Sequence, residues 1–445
     1  MRITIVGAGK VGYSVAQYLS REDHDVVVIE AQEERRNIVQ NNLDVMVIEG
    51  NGASPAVLNN PNVKESDLFI SVTDNDEVNM VACRVAKDAG IGFTIARIRN
   101  DDYFSAAARD NRFFEVMGVD IAINTDFVTA QEISRILQTP SALDVEDFAG
   151  GKIRLLETRL QSDSPLINTR LKDISLPENV LVAGILRRDQ MIIPNGDDIL
   201  QISDNAFFIG RPESLELLAG NRLQKLSRVE NVLIIGAGRT GRYLALFLES
   251  KGVMVKVIDS QESRCKEMAK HLKRGKVFLG RGIDMELLSQ EGVGQADAVI
   301  CLTHDDELNL MLALIAKDCG AQRTFVRVGH PEYIPLMQKV GVDVVLSPRL
   351  TTAEVIMRQV HRGKFTMLAL LEGAKASALE IAVSPNSKVL GRKLKDVKFP
   401  KNCLVGAILR RDQVIVPNGE SVLQQNDNVV MFALPEMINK IEKFF

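Results

Sequence analysis

No CxxC pair occurs in this chain. Its five cysteines, Cys83, Cys265, Cys301, Cys319 and Cys403, are scattered through 445 residues, so neither a zinc site nor a disulfide framework is indicated. Long apolar runs are missing as well. No segment approaches the roughly 18 uninterrupted apolar residues of a membrane helix, and the sequence opens on a strand-like ITIVGAG with no leader-like charged region or cleavage site. Neither sign of charge dominates: a formal net charge of -4 gives no whole-chain reason to expect nucleic acid or an anionic membrane surface as a partner. The chain therefore reads as cytosolic, with any membrane role reached through another protein. Catalytic signatures are equally scarce, since neither HExxH nor GxSxG appears. Of the histidines His24, His271, His304, His330 and His361, only His304 and His330 fall where a ligand edge is expected, and the first half has Asp74 and Asn100 at those places. A dehydrogenase needs an acid or base beside the nicotinamide, a substrate anchor and a site closed to water. No such set stands out, and no acidic cage marks a cation site.

What the chain does have is two glycine-rich loops, about 229 residues apart, in ITIVGAGKVGYSVAQYL and VLIIGAGRTGRYLALFL. Each places G-x-G-x-x-G between an apolar run and a helical pattern. The next apolar run ends on an acidic residue in both copies, Glu30 in VVVIE and Asp259 in VKVID. The duplication extends much further. VTDNDEVNMVACRVAKDAG from Val72 matches LTHDDELNLMLALIAKDCG from Leu302, and ARIRNDDYF from Ala96 matches VRVGHPEYI from Val326. LVAGILRRDQMIIPNG from Leu181 and LVGAILRRDQVIVPNG from Leu404 share twelve of sixteen positions. A period this long indicates duplication of a whole two-part module, not a solenoid.

Within the first module, residues 1–124 alternate short Val/Ile-rich runs with helical stretches (ITIVG, DVVVIE, DVMVIEG, LFISVT, TIARIR, VDIAIN). That pattern predicts an α/β fold with a doubly wound, Rossmann-like parallel sheet. A connecting helix is expected over 125–144, with Phe127, Ala130, Ile133 and Leu137 on one face and Pro140 ending it. Residues 145–210 read as a small α+β domain that begins in KIRLLETRL and turns a hairpin at Arg188-Asp189-Gln190. The charged stretch 211–230 reads as a linker. The second module repeats the plan, with a Rossmann-like domain over 231–347, a connecting helix over 348–365 and a small domain over 366–445.

The glycines have separate tasks. Gly7 and Gly236 permit the tight strand-to-helix turn, Gly9 and Gly238 let a pyrophosphate approach the backbone, and Gly12 and Gly241 let the helix pack on the sheet. With Ala8, Lys10, Val11, Ala237, Arg239 and Thr240 they line the positive end of a helix. Glu30 and Asp259, about 20 residues further on, suit a ribose diol and repel a 2′-phosphate. NAD(H) is therefore expected over NADP(H), and ATP or ADP, which carry the same diol, remain open. Lys10 and Arg239 are either phosphate contacts, particularly for a triphosphate, or solvated charges. Arg97 and Arg327 end the fifth run, where doubly wound folds bind ligands, and are read as phosphate or adenine contacts or as structural ion pairs. Thr73-Asp74 and Thr303-His304 face the same crevice, and the Asp74/His304 difference implies that the two sites do not bind identically.

In these residues and their order the chain resembles the TrkA family of Trk potassium-uptake regulatory subunits. The carrying motifs are GAGKVG with Glu30, VTDNDEVNMVAC, ARIR and LVAGILRRDQMIIPNG, together with their second-half copies. The resemblance implies two tandem RCK modules in a homo-oligomeric ring, a tetramer, on the cytoplasmic face of the inner membrane. It also implies attachment through a TrkH-type potassium-transporting subunit. NAD(H), and ATP or ADP, would be sensed in the Rossmann parts, with Lys10, Arg97 and Arg99 reading phosphate charge. No catalytic residue and no metal ligand are implied. The alternatives are an NAD-dependent oxidoreductase with a duplicated cofactor domain and an adenylate-binding module acting on another membrane protein.

Overall fold

A computed structural model describes the whole chain except residues 23, 111, 140–141, 189, 223–228, 361–366 and 372–374. It divides into two compact units, each drawing on both modules. Met1–Glu132 and Leu233–Val360 form one unit, and Ile133–Val232 and His361–Phe445 form the other.

The first unit holds two six-stranded sheets. In the first sheet β1 (Arg2–Val6), β2 (Asp25–Glu30), β3 (Met46–Glu49), β4 (Leu68–Ser71), β5 (Phe93–Arg97) and β6 (Ile121–Ile123) lie in the order β3-β2-β1-β4-β5-β6. Every neighbouring pair is parallel. The six apolar runs of the sequence are these six strands. Residues such as Ile3, Ile5, Val27, Ile29, Phe69, Ile70 and Ile95 are fully or almost fully buried, as expected when helices cover both faces of a parallel sheet. The strand order reverses beside β1, and at such a switch point the carboxyl ends of the strands open a crevice.

The second module repeats the sheet. It lists, along the chain, β12 (Asn231–Ile235), β13 (Met254–Asp259), β14 (Lys276–Leu279), β15 (Ala298–Cys301), β16 (Arg323–Arg327) and β17 (Val344–Leu346), again in the order 3-2-1-4-5-6. A separate apolar core, containing Ile235, Val299, Leu312 and Val326, fills one face. In the chain, after β6 and before β12, come the strands of the first small domain, β7 (Asp144–Phe148), β8 (Ile153–Arg159), β9 (Val180–Arg187), β10 (Gln190–Ile192) and β11 (Asn205–Gly210). Their copies after β17 are β18 (Met367–Leu371), β19 (Ala376–Ala382), β20 (Cys403–Arg410), β21 (Gln413–Ile415) and β22 (Asn428–Ala433).

The two modules are interleaved inside the first unit. The first connecting helix, Thr125–Leu137, lays Phe127 against Tyr243 and Phe247 of the second loop helix, Arg239–Ser250, with ring centroids 5.5 and 5.2 Å apart. The second connecting helix, Pro348–Val360, packs on the first loop helix, Lys10–Arg21. There Arg349 lies over the Tyr13 ring at 5.5 Å and hydrogen-bonds the Ser14 hydroxyl. Burial, reinforced by Glu354, pushes the Tyr18 phenol up to about 12.

In the second unit both small domains are antiparallel five-stranded sheets with the same plan, β10-β9-β11-β8-β7 and β18-β19-β22-β20-β21. They share one core that contains Phe148, Leu155, Phe207 and Ile209 from one sheet and Ala369, Ala378, Val430 and Phe432 from the other. The repeated RRDQ motif is the expected hairpin. In the second copy Arg410 pairs with Gln413 across a two-residue turn whose Arg411 and Asp412 have φ of 44° and 73°, the signs a type I′ turn requires. Asp189 of the first copy lies outside the described residues.

Two expectations change. The first strand of the small domain is expected at KIRLLETRL, yet Asp144–Phe148 precedes it and pairs antiparallel with β8. The stretch 211–230, read as a linker, carries a helix over Pro212–Arg222, because Leu215 and Leu218 bury themselves in the core containing Leu156 and Phe208. Residues 223–228 of that stretch, the end of the second connecting helix beyond Val360, and Pro140 lie outside the described residues.

Candidate functional site

Each G-x-G-x-x-G sits where β1 or β12 hands over to its loop helix. Gly7 and Gly236 have φ of +96° and +117°, a region that an L side chain adopts only at a cost. Their amides donate to Ile29 and Ile258 carbonyls at 2.9 and 2.8 Å, which fixes each loop to the neighbouring strand. A Cβ on Gly12 would lie 1.8 Å from the Gly7 carbonyl oxygen, and one on Gly241 would lie 2.0 Å from that of Gly236. Gly9 and Gly238 differ. A Cβ on Gly9 would meet only the Arg35 guanidinium, at 3.5 Å, and one on Gly238 would meet nothing within 4 Å. The third glycine is thus held by packing inside the fold, while the second faces open space where a ligand can approach.

The acidic residues are tied into the loops. Glu30 accepts hydrogen bonds from the Ala8 amide at 2.6 Å and the Gln32 amide at 2.9 Å. Asp259 accepts from Ala237 and Gln261, both at 2.7 Å. Each carboxylate joins the loop to the end of the second strand and is more than nine-tenths buried. Each oxygen keeps a lone pair for a further donor, so the role in loop shape and a role toward a diol are compatible.

The remaining predicted residues gather at the ends of the fourth and fifth strands. The Thr73 amide and hydroxyl donate to the Asn79 side-chain oxygen at 2.9 and 2.7 Å, and Thr303 does the same with Asn309 at 3.0 and 2.7 Å. Arg97 pairs with Asp74 at 3.1 Å and donates to the Thr125 hydroxyl at 3.2 Å. Arg327 donates to the Thr303 carbonyl at 3.0 Å and, with His304 in place of the aspartate, makes no ion pair among the described residues. Burial lowers the pKa of both guanidiniums, assisted at Arg97 by Arg99. Lys10 does not lie alone in its loop: its ammonium reaches the second module, 3.3 Å from where a Cβ of Gly329 would stand. The absence of a second-half counterpart to Arg99 leaves that room.

All ten predicted second-half residues, Gly236 to Gly241, Asp259, Thr303, His304 and Arg327, line one cavity of about 620 Å³, a volume in the range of small-molecule sites. Arg264, Arg281 and Asp126 line it too. The first-half residues converge in the same way, Gly7 approaching Thr73, Ala8 bonded to Glu30, and Arg97 bonded to Asp74.

Sequence reasoning missed three sets. Asn79 and Asn309, fully buried, also donate to the Arg97 and Arg327 carbonyls at 2.8 and 2.9 Å, bridging the fourth and fifth strand ends. The same asparagine at the same place in both copies was the available signal. Arg35 and Arg264 each stand five residues past the acidic residue and approach the loop side, Arg264 lying 3.8 Å from Asp259. The third set crosses between modules: Asp101 contacts Arg242 and the Tyr243 hydroxyl, and Asn124 donates to Tyr243 at 3.1 Å. Burial, then Asp101, holds the Tyr243 phenol well above its ordinary range. No spacing within either module could show these partners.

Among the described residues no helix is long and apolar enough to cross a membrane, and no group of three or more His, Cys, Asp or Glu side chains could hold a metal ion. The TrkA-N domain profile matches residues 3–125 and 232–348, and the TrkA-C domain profile matches 155–221 and 378–445. A Trk system potassium uptake protein TrkA homolog of Methanosarcina mazei is 37% identical over 456 residues, covering 100% of both chains. The Trk system potassium uptake protein TrkA of Halomonas elongata is 31% identical over 455 residues, covering 100% of this chain and 98% of its own. Among solved structures, a GsuK channel bound to NAD superposes with a TM-score of 0.63 at 17% identity, covering 100% of this chain and 78% of that one; the likeness is one of fold. With TrkA-N and TrkA-C segments alternating twice along it, and relatives that match it end to end, the chain belongs to the TrkA family.

Proposed function

We propose that this chain is a cytoplasmic regulatory subunit that senses nucleotides and gates potassium uptake through a TrkH-type membrane channel or transporter. The observation that carries the reading is the interleaving of two nucleotide-type folds, each with its connecting helix seated on the other's loop helix. A ligand that moves one loop helix therefore acts on both modules. A ligand shifts an equilibrium only by its differential affinity for the two states, and two coupled sites provide such a difference. The family relatives carry potassium-uptake names, and the chain is not an enzyme.

The ligands in this reading are NAD(H) and ATP or ADP. They are bound by Gly7 to Gly12 with Glu30, Thr73, Asp74 and Arg97 in the first module, and by Gly236 to Gly241 with Asp259, Thr303, His304 and Arg327 in the second. The modules divide near residues 124, 144, 230, 347 and 365, with the helix over Pro212–Arg222 belonging to the first small domain. The subunits assemble as a ring, a tetramer, against the cytoplasmic face of the partner. The test is potassium uptake in cells that lack their own regulatory subunit but keep the membrane subunit. Restored uptake that Gly9→Val or Gly238→Val abolishes, at equal expression, is the expected result. No restoration by folded protein with a matched membrane subunit would overturn the proposal.

One pH dependence follows. Burial, then Arg327 and Arg264, lowers the His304 pKa, with Arg239 acting in the same direction and Asp126 against it. Without ligand the imidazole is neutral at pH 7 and resists protonation. The unfolded chain then binds more protons below about pH 6.5, so stability of the free protein falls as pH drops through that window. A bound phosphate offsets the guanidiniums and raises the pKa again, so affinity at the second site should increase as pH falls from 8 to 6. Calorimetric titrations of NADH into the Gly9→Val chain should show this slope, and His304→Gln should flatten it. An equal slope in both proteins would exclude His304 as the titrating group.

A further inference from the structure

The two nucleotide loops are built alike, but the connecting helix that crosses from the other module meets each loop helix with a residue of opposite charge. Asp126 is the second residue of the first connecting helix. It accepts hydrogen bonds from Arg239 Nε at 3.1 Å and from the Thr240 hydroxyl at 2.7 Å, and it lines the second cavity. Arg239 and Thr240 are the first two residues of the second loop helix, beside the glycine face that stands open at Gly238. The corresponding second residue of the other connecting helix is Arg349, which meets Ser14 and the Tyr13 ring of the first loop helix just past Gly12 and lies 3.9 Å from the Glu332 carboxylate. One helix position therefore delivers a carboxylate to the second loop helix and a guanidinium to the first.

The carboxylate changes what the second loop can receive. Arg239 is the side chain at the loop's fourth position and the one placed to meet a phosphate that extends past the helix N-terminus. Asp126 occupies its Nε and adds negative charge at the same place. A terminal phosphate arriving there loses a donor and meets a like charge in a partly buried site, where the repulsion is less screened than in water. A dinucleotide has both phosphates internal, held at the backbone amides of the loop, and presents a neutral or cationic base beyond them. We infer that Asp126 is a specificity-determining residue of the second site: it rejects nucleotides that end in a free phosphate and leaves the site to dinucleotides. The first loop receives no carboxylate from this helix position and keeps its affinity for terminal phosphates. This inference rests on the reading of both crevices as nucleotide sites and assigns different ligand classes to them.

The test uses the full chain with the first site filled by Gly9→Val, with and without Asp126→Asn, titrated with ATP and with NADH in EDTA. Asp126→Asn should tighten ATP by about tenfold or more and change NADH by less than about threefold, and Asp126→Ala should act in the same direction. Retained NADH affinity shows that the variant is folded at the site. An equal change for both ligands, no gain in ATP affinity, or a loss of it would overturn the inference. So would a Gly9→Val chain that binds neither ligand, since the second crevice would then not be a nucleotide site. Potassium uptake, measured with the chain that keeps Gly9, separates the two readings: unaltered selectivity with uptake restored counts against this inference alone, and the expected selectivity change without restored uptake supports it while counting against gating.

Discussion

Gly12→Ala should remove nucleotide affinity from the first module by more than about a hundredfold, and Gly241→Ala should do the same to the second, each leaving the other module's site working. One methyl group is enough because of where it lands. The new Cβ would stand 1.8 Å from the Gly7 carbonyl oxygen in one loop and 2.0 Å from the Gly236 oxygen in the other. Neither carbonyl is free to retreat. Each glycine's own amide is bonded to the neighbouring strand, and its Cα faces Thr73 or Leu302 so closely that a side chain would touch backbone there. The loop helix must move instead, and that carries the anion-binding amides away from the phosphate. Overpacking of this kind costs about 1–3 kcal/mol or somewhat more, so the melting temperature should fall together with the affinity. Gly9→Val, which points into open space, should lose affinity with little change in stability. Calorimetric titration of each variant, beside its thermal unfolding curve, checks both statements; undiminished binding in Gly12→Ala would show that the loop is not the binding element.

The second large effect concerns the small domains. Phe432→Ala should destabilise the shared core by about 3–5 kcal/mol. Phe432 is fully buried, sits 5.5 Å from Phe207 of the other sheet, and presses its ring edge on Gly184, where a Cβ would come within 2.6 Å. The reciprocal contact is Ile209 over Gly406, with a Cβ there at 3.0 Å. Gly406 is the bulged position of β20 against β22, so neither side of the core can collapse far to fill the space a lost ring leaves. Denaturant unfolding followed by circular dichroism should show an earlier transition in Phe432→Ala. A loss below about 1 kcal/mol would mean that the two sheets do not depend on each other.

Both predictions rest on residues that differ in how far the sequence exposed them. The glycines of the loops were legible because a strand, a tight turn and a helix follow each other without a gap, and because the pattern occurs twice. The six runs of each Rossmann part were legible because strands buried on both faces show as unbroken Val/Ile segments. The strand Asp144–Phe148 was not. Its DVEDF pattern looks like an exposed acidic turn, and the Arg135 guanidinium, bonded to the buried Glu146 at 2.8 Å, helps to explain an acid at an inward position. The helix over Pro212–Arg222 was obscured because its three leucines, of which Leu215 and Leu218 turn inward and Leu217 stays exposed, make a weak stripe among charged and small residues until a core is there to receive them. Asp126 and Arg349 were legible as helix starts but not as neighbours of a nucleotide loop. Their partners lie 113 and 335 positions away in the chain, a distance that no local pattern spans.

The crossed connecting helices also bear on how such a chain can arise and change. A polypeptide holding one module would leave the apolar face of its loop helix, the equivalent of Tyr243 and Phe247, without the Phe127 that covers it. It would have to borrow that cover from a second copy of itself. In such a pair the two sites are bound by symmetry to be the same, since any substitution in the helix enters both at once. Joining the copies head to tail keeps the mutual cover and lifts that constraint. One position can then carry aspartate toward one loop helix and arginine toward the other, which no pair of identical chains can do, and a single gene can encode two unlike inputs to one folded unit.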